Sequence, residues 1–169
     1  MTDLTMFRVQ KRQVHATITL ANGQNVRGCF FLSESSADHA GPERVDELLN
    51  ASERFVPFQL DTETGPPRVT LYNRTQIVLV HLPESEVALA HDPSYNIARP
   101  EPASLLLSNG DRLSGEIHVV GLTGHARLSD FTNLRAFIYF EKPNQTVIVS
   151  LDHVVELVPL SGAPERSNG

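Results

Sequence analysis

The chain has 169 residues, a net charge of −6 and one cysteine, Cys29. That length suits one large domain or two small ones; a single cysteine excludes an intramolecular disulfide, and the acidic balance lacks the basic stripe that marks most nucleic-acid binders. With no run of about 20 apolar residues for a spanning helix and no signal-like apolar stretch in Met1–Arg12, a soluble, cytoplasmic protein is expected.

Only the start of the chain is basic, with Arg8, Lys11 and Arg12 against Asp3, so 1–12 reads as a basic arm. Val14, Ala16, Ile18 and Leu20 alternate with His15, Thr17 and Thr19, the period of a half-buried strand. Asn22-Gly23 then signals a hairpin with a type I′ turn, and Asn25–Leu32 is the returning strand, with Gly28 marking a bulge or bend. After a polar loop over 33–42, Glu43–Arg54 reads as a helix of about three turns, with Val45, Leu48 and Leu49 on one face. Phe55–Leu60, Arg68–Tyr72 and Gln76–Leu82 are strands three to five. Proline- and acid-rich Pro83–Pro102 reads as a semi-stiff connector.

The pattern then recurs. Ser104–Gly115, S-L-L-L-S-N-G-D-R-L-S-G, repeats Thr17–Gly28, T-I-T-L-A-N-G-Q-N-V-R-G, each with Asn-Gly and a second Gly five residues on. Leu105–Leu107 and Arg112–Val120 form the second hairpin, Ser129–Leu134 a short helix, and Ala136–Phe140, Thr146–Leu151 and Val154–Leu157 the late strands; Ser161–Gly169 has no core residues. The expected fold class is mainly β: two tandem five-stranded small barrels at 13–83 and 103–160, each with one short helix between strands two and three, joined by the connector 84–102 and followed by a disordered tail at 161–169. The first carries five basic and eight acidic residues and the second four and six, so neither attracts a polyanion.

No chemical motif stands out. The seven histidines show no H-x-x-x-H pair, no G-x-S-x-G elbow is present, and Gly121-Leu-Thr-Gly124 lacks the lysine of a phosphate loop. Cys29, between Gly28 and Phe30, reads as a small buried hydrophobe. The polar residues that recur at one spacing are Arg44 with Asn50 and Arg127 with Asn133. Their structural reading is a helix cap and a charge partner; their functional reading is a matched pair of recognition points. Phe31 and Phe55 are candidates for an exposed apolar patch.

The strand pattern with Asn22-Gly23…Gly28 and Asn109-Gly110…Gly115 resembles the small SH3-like or Sm-like barrel. The helix position and the turns at Asn73-Arg74 and Leu151-Asp152 depart from the Sm pattern, so that family's RNA-contacting residues are not carried over. The arginine-led segments after each hairpin resemble those of a group of bacterial proteins with an R-(L/V)-x-(D/E)-(L/F)-x-N run. Arg8-Val-Gln-Lys-Arg12 resembles the R-x-x-x-R spacing of PilZ domains, which implies a cyclic di-GMP site through Arg8 and Arg12, although of that family's second motif only Ser33 is kept.

The expectation is a non-enzymatic interaction or scaffold module without cofactor, metal or membrane. It engages a protein partner, or its own copies, through sheet edges in Val69–Val80 or Val147–Val158. Arg44, Asn50, Phe31, Phe55, Arg127 and Asn133 are its candidate interaction residues. The alternatives are nucleotide sensing through Arg8 and Arg12, or Sm-like RNA binding.

Overall fold

The computed structural model describes residues 11–90, 98–119 and 135–160, save the side chains of 88–90. Ten strands and two helices follow in the order β1 Lys11–Leu20, β2 Asn25–Ser33, α1 Val45–Asn50, β3 Phe55–Leu60, β4 Arg68–Asn73, β5 Ile77–His81, α2 Glu84–Ala90, β6 Arg99–Leu107, β7 Arg112–Val119, β8 Phe137–Lys142, β9 Gln145–Ser150 and β10 Val154–Pro159. All pairings are antiparallel, in the order β10-β6-β7-β8-β9-β5-β1-β2-β3-β4. Pairing runs unbroken from β10 to β4: the sheet is single and open, where the sequence suggested two separate barrels. Each half has its fifth strand beside its first, and the halves meet where β5 pairs with β9.

Both hairpins lie where Asn-Gly placed them, but they are not type I′. Among the described residues none other than glycine has positive φ, and only Gly23 (φ 87°) and Gly110 (φ 90°) do so in these turns. The Gly23 N–H donates to the Leu20 carbonyl and the Leu20 N–H to the Gln24 carbonyl, with the same bonds from Gly110 to Leu107 and from Leu107 to Asp111. This is a type I turn closed by a left-handed glycine, the usual three-residue hairpin. Asn22 and Asn109 are there for their side chains, whose Oδ1 atoms accept the N–H groups of Gln24 and Asp111.

Gly28 makes no bulge, for the β1–β2 register passes through it unshifted. Its role is close approach. A Cβ at Gly28 would lie 1.9 Å from the Gln59 carbonyl oxygen, and one at Gly115 would lie 2.0 Å from that of Glu141. The expected three-turn helix is only the six residues of α1, ended by Ala51 in an extended conformation. The stretch read as connector supplies α2 and the start of β6. Pro100 and Pro102 are tolerated in β6 because they lie beyond the Ala103–Leu107 stretch that pairs with β10, so their missing N–H groups cost no ladder bond there. The short helix expected at Ser129–Leu134 and the tail at Ser161–Gly169 lie outside the described residues.

The core has two clusters, and each takes residues from both halves. The first joins Val14, Ile18, Phe30, Phe58 and Leu49 with Phe137 and Ile148; the second joins Leu105, Ile117, Phe140 and Val149 with Val78 and Leu79. β5 and β9 are therefore buried on both faces, which explains the unbroken apolar runs Ile77–Val80 and Val147–Val149. We expect Gly28→Ala and Gly115→Ala each to cost at least about 3 kcal/mol, because the opposing carbonyl is backbone that must move. Equilibrium denaturation checks this, and parental stability in either variant would contradict the close approach.

Candidate functional site

The Arg44–Asn50 segment bridges the halves. It forms α1, which lies against β8 as well as β2. Asn50 uses its whole amide: Nδ2 donates to the Asp46 carbonyl (2.9 Å) and the Phe137 carbonyl (3.0 Å), while Oδ1 accepts from the N–H groups of Ala136 (3.1 Å) and Phe137 (2.9 Å). Asp46 is buried and takes the Tyr139 hydroxyl at 2.9 Å and the Arg135 guanidinium at 3.4 Å. Arg44 pairs with Glu47 at 3.1 Å and reaches Asp46 at 3.7 Å. Burial pushes the Asp46 carboxyl above its ordinary range, while the Tyr139 bond and the two arginines oppose that. Asn50 is more than a helix cap: it clamps the first residues of β8 to the other half of the chain.

The free ends of the sheet carry the exposed apolar surface. Among the described residues the exposed large hydrophobics are Phe55, Val69, Leu71, Val155, Val158 and Leu160. Val69 and Leu71 lie on β4, Val155 and Val158 on β10, Phe55 at the start of β3 beside β4, and Leu160 just past β10. Phe31 is half-buried on β2 opposite Gln13. Arg127, Asn133 and Arg8 lie outside the described residues.

Arg12 belongs to β1, and its guanidinium is engaged by Glu86 at 2.9 Å and the Glu43 carbonyl at 3.3 Å.

Two donor clusters lie on opposite faces of the sheet, each on the face turned away from the core of its own half. His15 and Cys29 are cross-strand partners, with Nδ1 and Sγ 3.3 Å apart, and Asp61 joins them; in the other half Glu116, His118 and Glu141 converge. Both sets contain donor types that zinc accepts, three residues each. Burial, and then Asp61, push the Cys29 thiol up, so at neutral pH it is a protonated, weak nucleophile. His15, Asp61, Arg27 and His81 line a cleft of about 320 Å³ beside the first set. The His118 ring nitrogen Nε2 lies 2.8 Å from the Glu141 carboxylate. His39 is held by the Ala40 carbonyl and by Glu47, and both raise its pKa.

Among the described residues one serine–histidine pair is formed. The His153 Nδ1 lies 2.8 Å from the Ser108 hydroxyl and its Nε2 lies 2.5 Å from the Thr75 carbonyl. Donation of Nε2–H to Thr75 leaves Nδ1 to accept from Ser108. This chain ties the β6–β7 turn to the turn between β4 and β5 of the other half, a structural use of the pair. The parallel bonds from the Ala21 N–H to the Gln76 carbonyl and from the Ser108 N–H to the His153 carbonyl pin each hairpin to the turn before the fifth strand of its own half.

No family model, no curated protein and no solved structure matches the chain. Among the described residues, no helix is long and apolar enough to cross a membrane.

Asn50→Ala leaves the Ala136 and Phe137 N–H groups without their acceptor, and we expect it to lower stability by about 2–4 kcal/mol, read as a lower denaturation midpoint with an unchanged slope. His81 pairs with Val147 at the joint, and burial lowers its pKa, with the Gln145 bond opposing and Lys142 assisting. The unfolded chain then binds the extra proton first, so stability falls as pH drops through about 6.5, the ordinary histidine value. Between pH 7.5 and 5.5 the parent should lose more stability than His81→Gln, by paired denaturation curves (about one unit either side of that value); equal slopes would contradict the assignment.

Proposed function

We propose that the protein is a non-enzymatic interaction scaffold: two small barrel-like units fused through β5 and β9, which binds protein by adding a strand at β4 or β10. The observation that carries this reading is the gathering of exposed apolar side chains at the two edges of an otherwise well-covered sheet. An edge strand offers unpaired N–H and C=O groups, and proteins that do not use an edge blunt it with charge, proline or a covering element. Here β4 presents Val69 and Leu71 to solvent, and β10 presents Val155 and Val158. The un-ionised Cys29 thiol and the structural use of Ser108 and His153 favour this over hydrolytic chemistry. The engagement of Arg12 by Glu86 favours it over an arginine clamp for a nucleotide.

A photo-crosslinking amino acid at Leu71 or Val155, in an extract of cells that express the protein, should give discrete protein adducts. The same group at exposed Glu63 or Asn144 should not. Equal adduct patterns at edge and control positions would contradict the reading.

A further inference from the structure

We propose that His15, Cys29 and Asp61 form a zinc site, a feature separate from the sheet edges and independent of the scaffold reading. Three neighbouring strands set the donors side by side. His15 on β1 and Cys29 on β2 are direct cross-strand partners, and the His15 Nδ1 lies 3.3 Å from the Cys29 Sγ, with Nε2 at 3.8 Å. Gln59 on β3 stands opposite Cys29, and Asp61, two residues on, shares its face. The Asp61 N–H donates to the Arg27 carbonyl at 2.9 Å, which ties Asp61 to β2. The absent side chain of Gly28 is what lets β3 come this close. The donor atoms of all three residues lie within 4.8 Å of one another, on the face turned away from the core of the first half. They lie far apart in the sequence, so no close-spaced ligand motif marks them.

The separations are those of a coordination shell. Tetrahedral zinc, with Zn–S about 2.3 Å and Zn–N about 2.0–2.1 Å, holds sulfur and nitrogen about 3.5 Å apart. His15 and Cys29 stand near that separation on paired strands. Asp61 is exposed, so its carboxylate closes the set by turning about its own side-chain bonds. A thiol–imidazole hydrogen bond accounts for two of these residues and gives no place to Asp61. The donors also choose the metal: a thiolate beside an imidazole selects zinc over magnesium and calcium, which take oxygen. One thiolate and one carboxylate balance the two charges of the ion, which matters because Cys29 is buried. The Cys29 thiol gives its proton to solvent as the metal binds. The other cluster, Glu116, His118 and Glu141, offers no sulfur. Three protein donors leave the fourth position open. It faces the cleft that His15 and Asp61 share with Thr17, Arg27, His81 and Gln145, where water completes the shell.

The test titrates the reduced, full-length protein with Co²⁺, a spectroscopic stand-in for zinc. Cys29 is the only cysteine, so a thiolate-to-cobalt charge-transfer band in the near ultraviolet reports this site alone. The parent should develop that band, with the visible bands of tetrahedral cobalt, to an end point at one equivalent, and one equivalent of Zn²⁺ should abolish it. His15 and Asp61 are exposed, so His15→Ala and Asp61→Asn should unfold near the parent's thermal midpoint when no metal is added. Each should weaken cobalt binding at least about 100-fold, since losing a ligand costs no less than losing a residue that orients one. No band in the parent, a band that Zn²⁺ does not displace, or unchanged cobalt affinity in either exposed variant would each overturn the proposal. The edge-strand reading is untouched by these outcomes and stands or falls on its crosslinks.

Discussion

Three residue pairs, Leu79 with Val149, Val80 with Ile148 and His81 with Val147, join the halves of this protein into one sheet. The strands that make them are short, and every residue in Ile77–Val80 and Val147–Ser150 is buried. Burial on both faces lets so short a seam hold, because each side chain of Ile77–Val80 and Val147–Val149 packs into one of two cores that both halves build. Phe137 and Ile148 fill the first core from the second half, and Val78 and Leu79 fill the second from the first. The Asn50 amide then fixes the start of β8 with three bonds to backbone of the other half.

From that seam the rest follows outward. On one side β1, β2 and β3 lead to β4; on the other β8, β7 and β6 lead to β10. Among the described residues, both terminal strands carry branched apolar residues toward solvent. The thiol, histidines and carboxylates of the two donor clusters are tied to strand frames on both halves, whereas the exposed large hydrophobics among the described residues gather at the two edges.

Much of the local structure was legible in the sequence, because it rests on short-range signals. Alternation in Val14–Leu20 marks the correct buried face, and Asn-Gly locates both hairpins. The turn type departs from the Asn-Gly expectation because each asparagine acts through its side chain and not through a left-handed backbone. Gly28 was expected to relieve the strand and instead admits the Gln59 carbonyl. The helix is shorter than its composition suggests: good helix formers continue past Asn50, but Ala51 is extended and the Asn50 side chain is committed to Phe137. β6 began earlier than expected because the proline rule against strands does not apply where no partner needs the N–H. The seam itself had one signal, the continuous apolar runs in β5 and β9, which periodicity alone cannot tell from ordinary buried strands. Of the candidate residues, Arg44 has the charge-partner role its spacing suggested, Asn50 reaches beyond its own helix to Ala136 and Phe137, and Phe55 is exposed as expected.

The most direct test of the seam is native-state hydrogen exchange, followed amide by amide in β1, β2, β6 and β7. If the halves share two cores through β5 and β9, the slowest amides of both halves open with one common free energy, that of global unfolding, and respond together to denaturant. If the slowest amides of β6 and β7 open at a clearly lower free energy than those of β1 and β2, or the reverse, the halves are independent bodies and the account of one fused sheet is wrong.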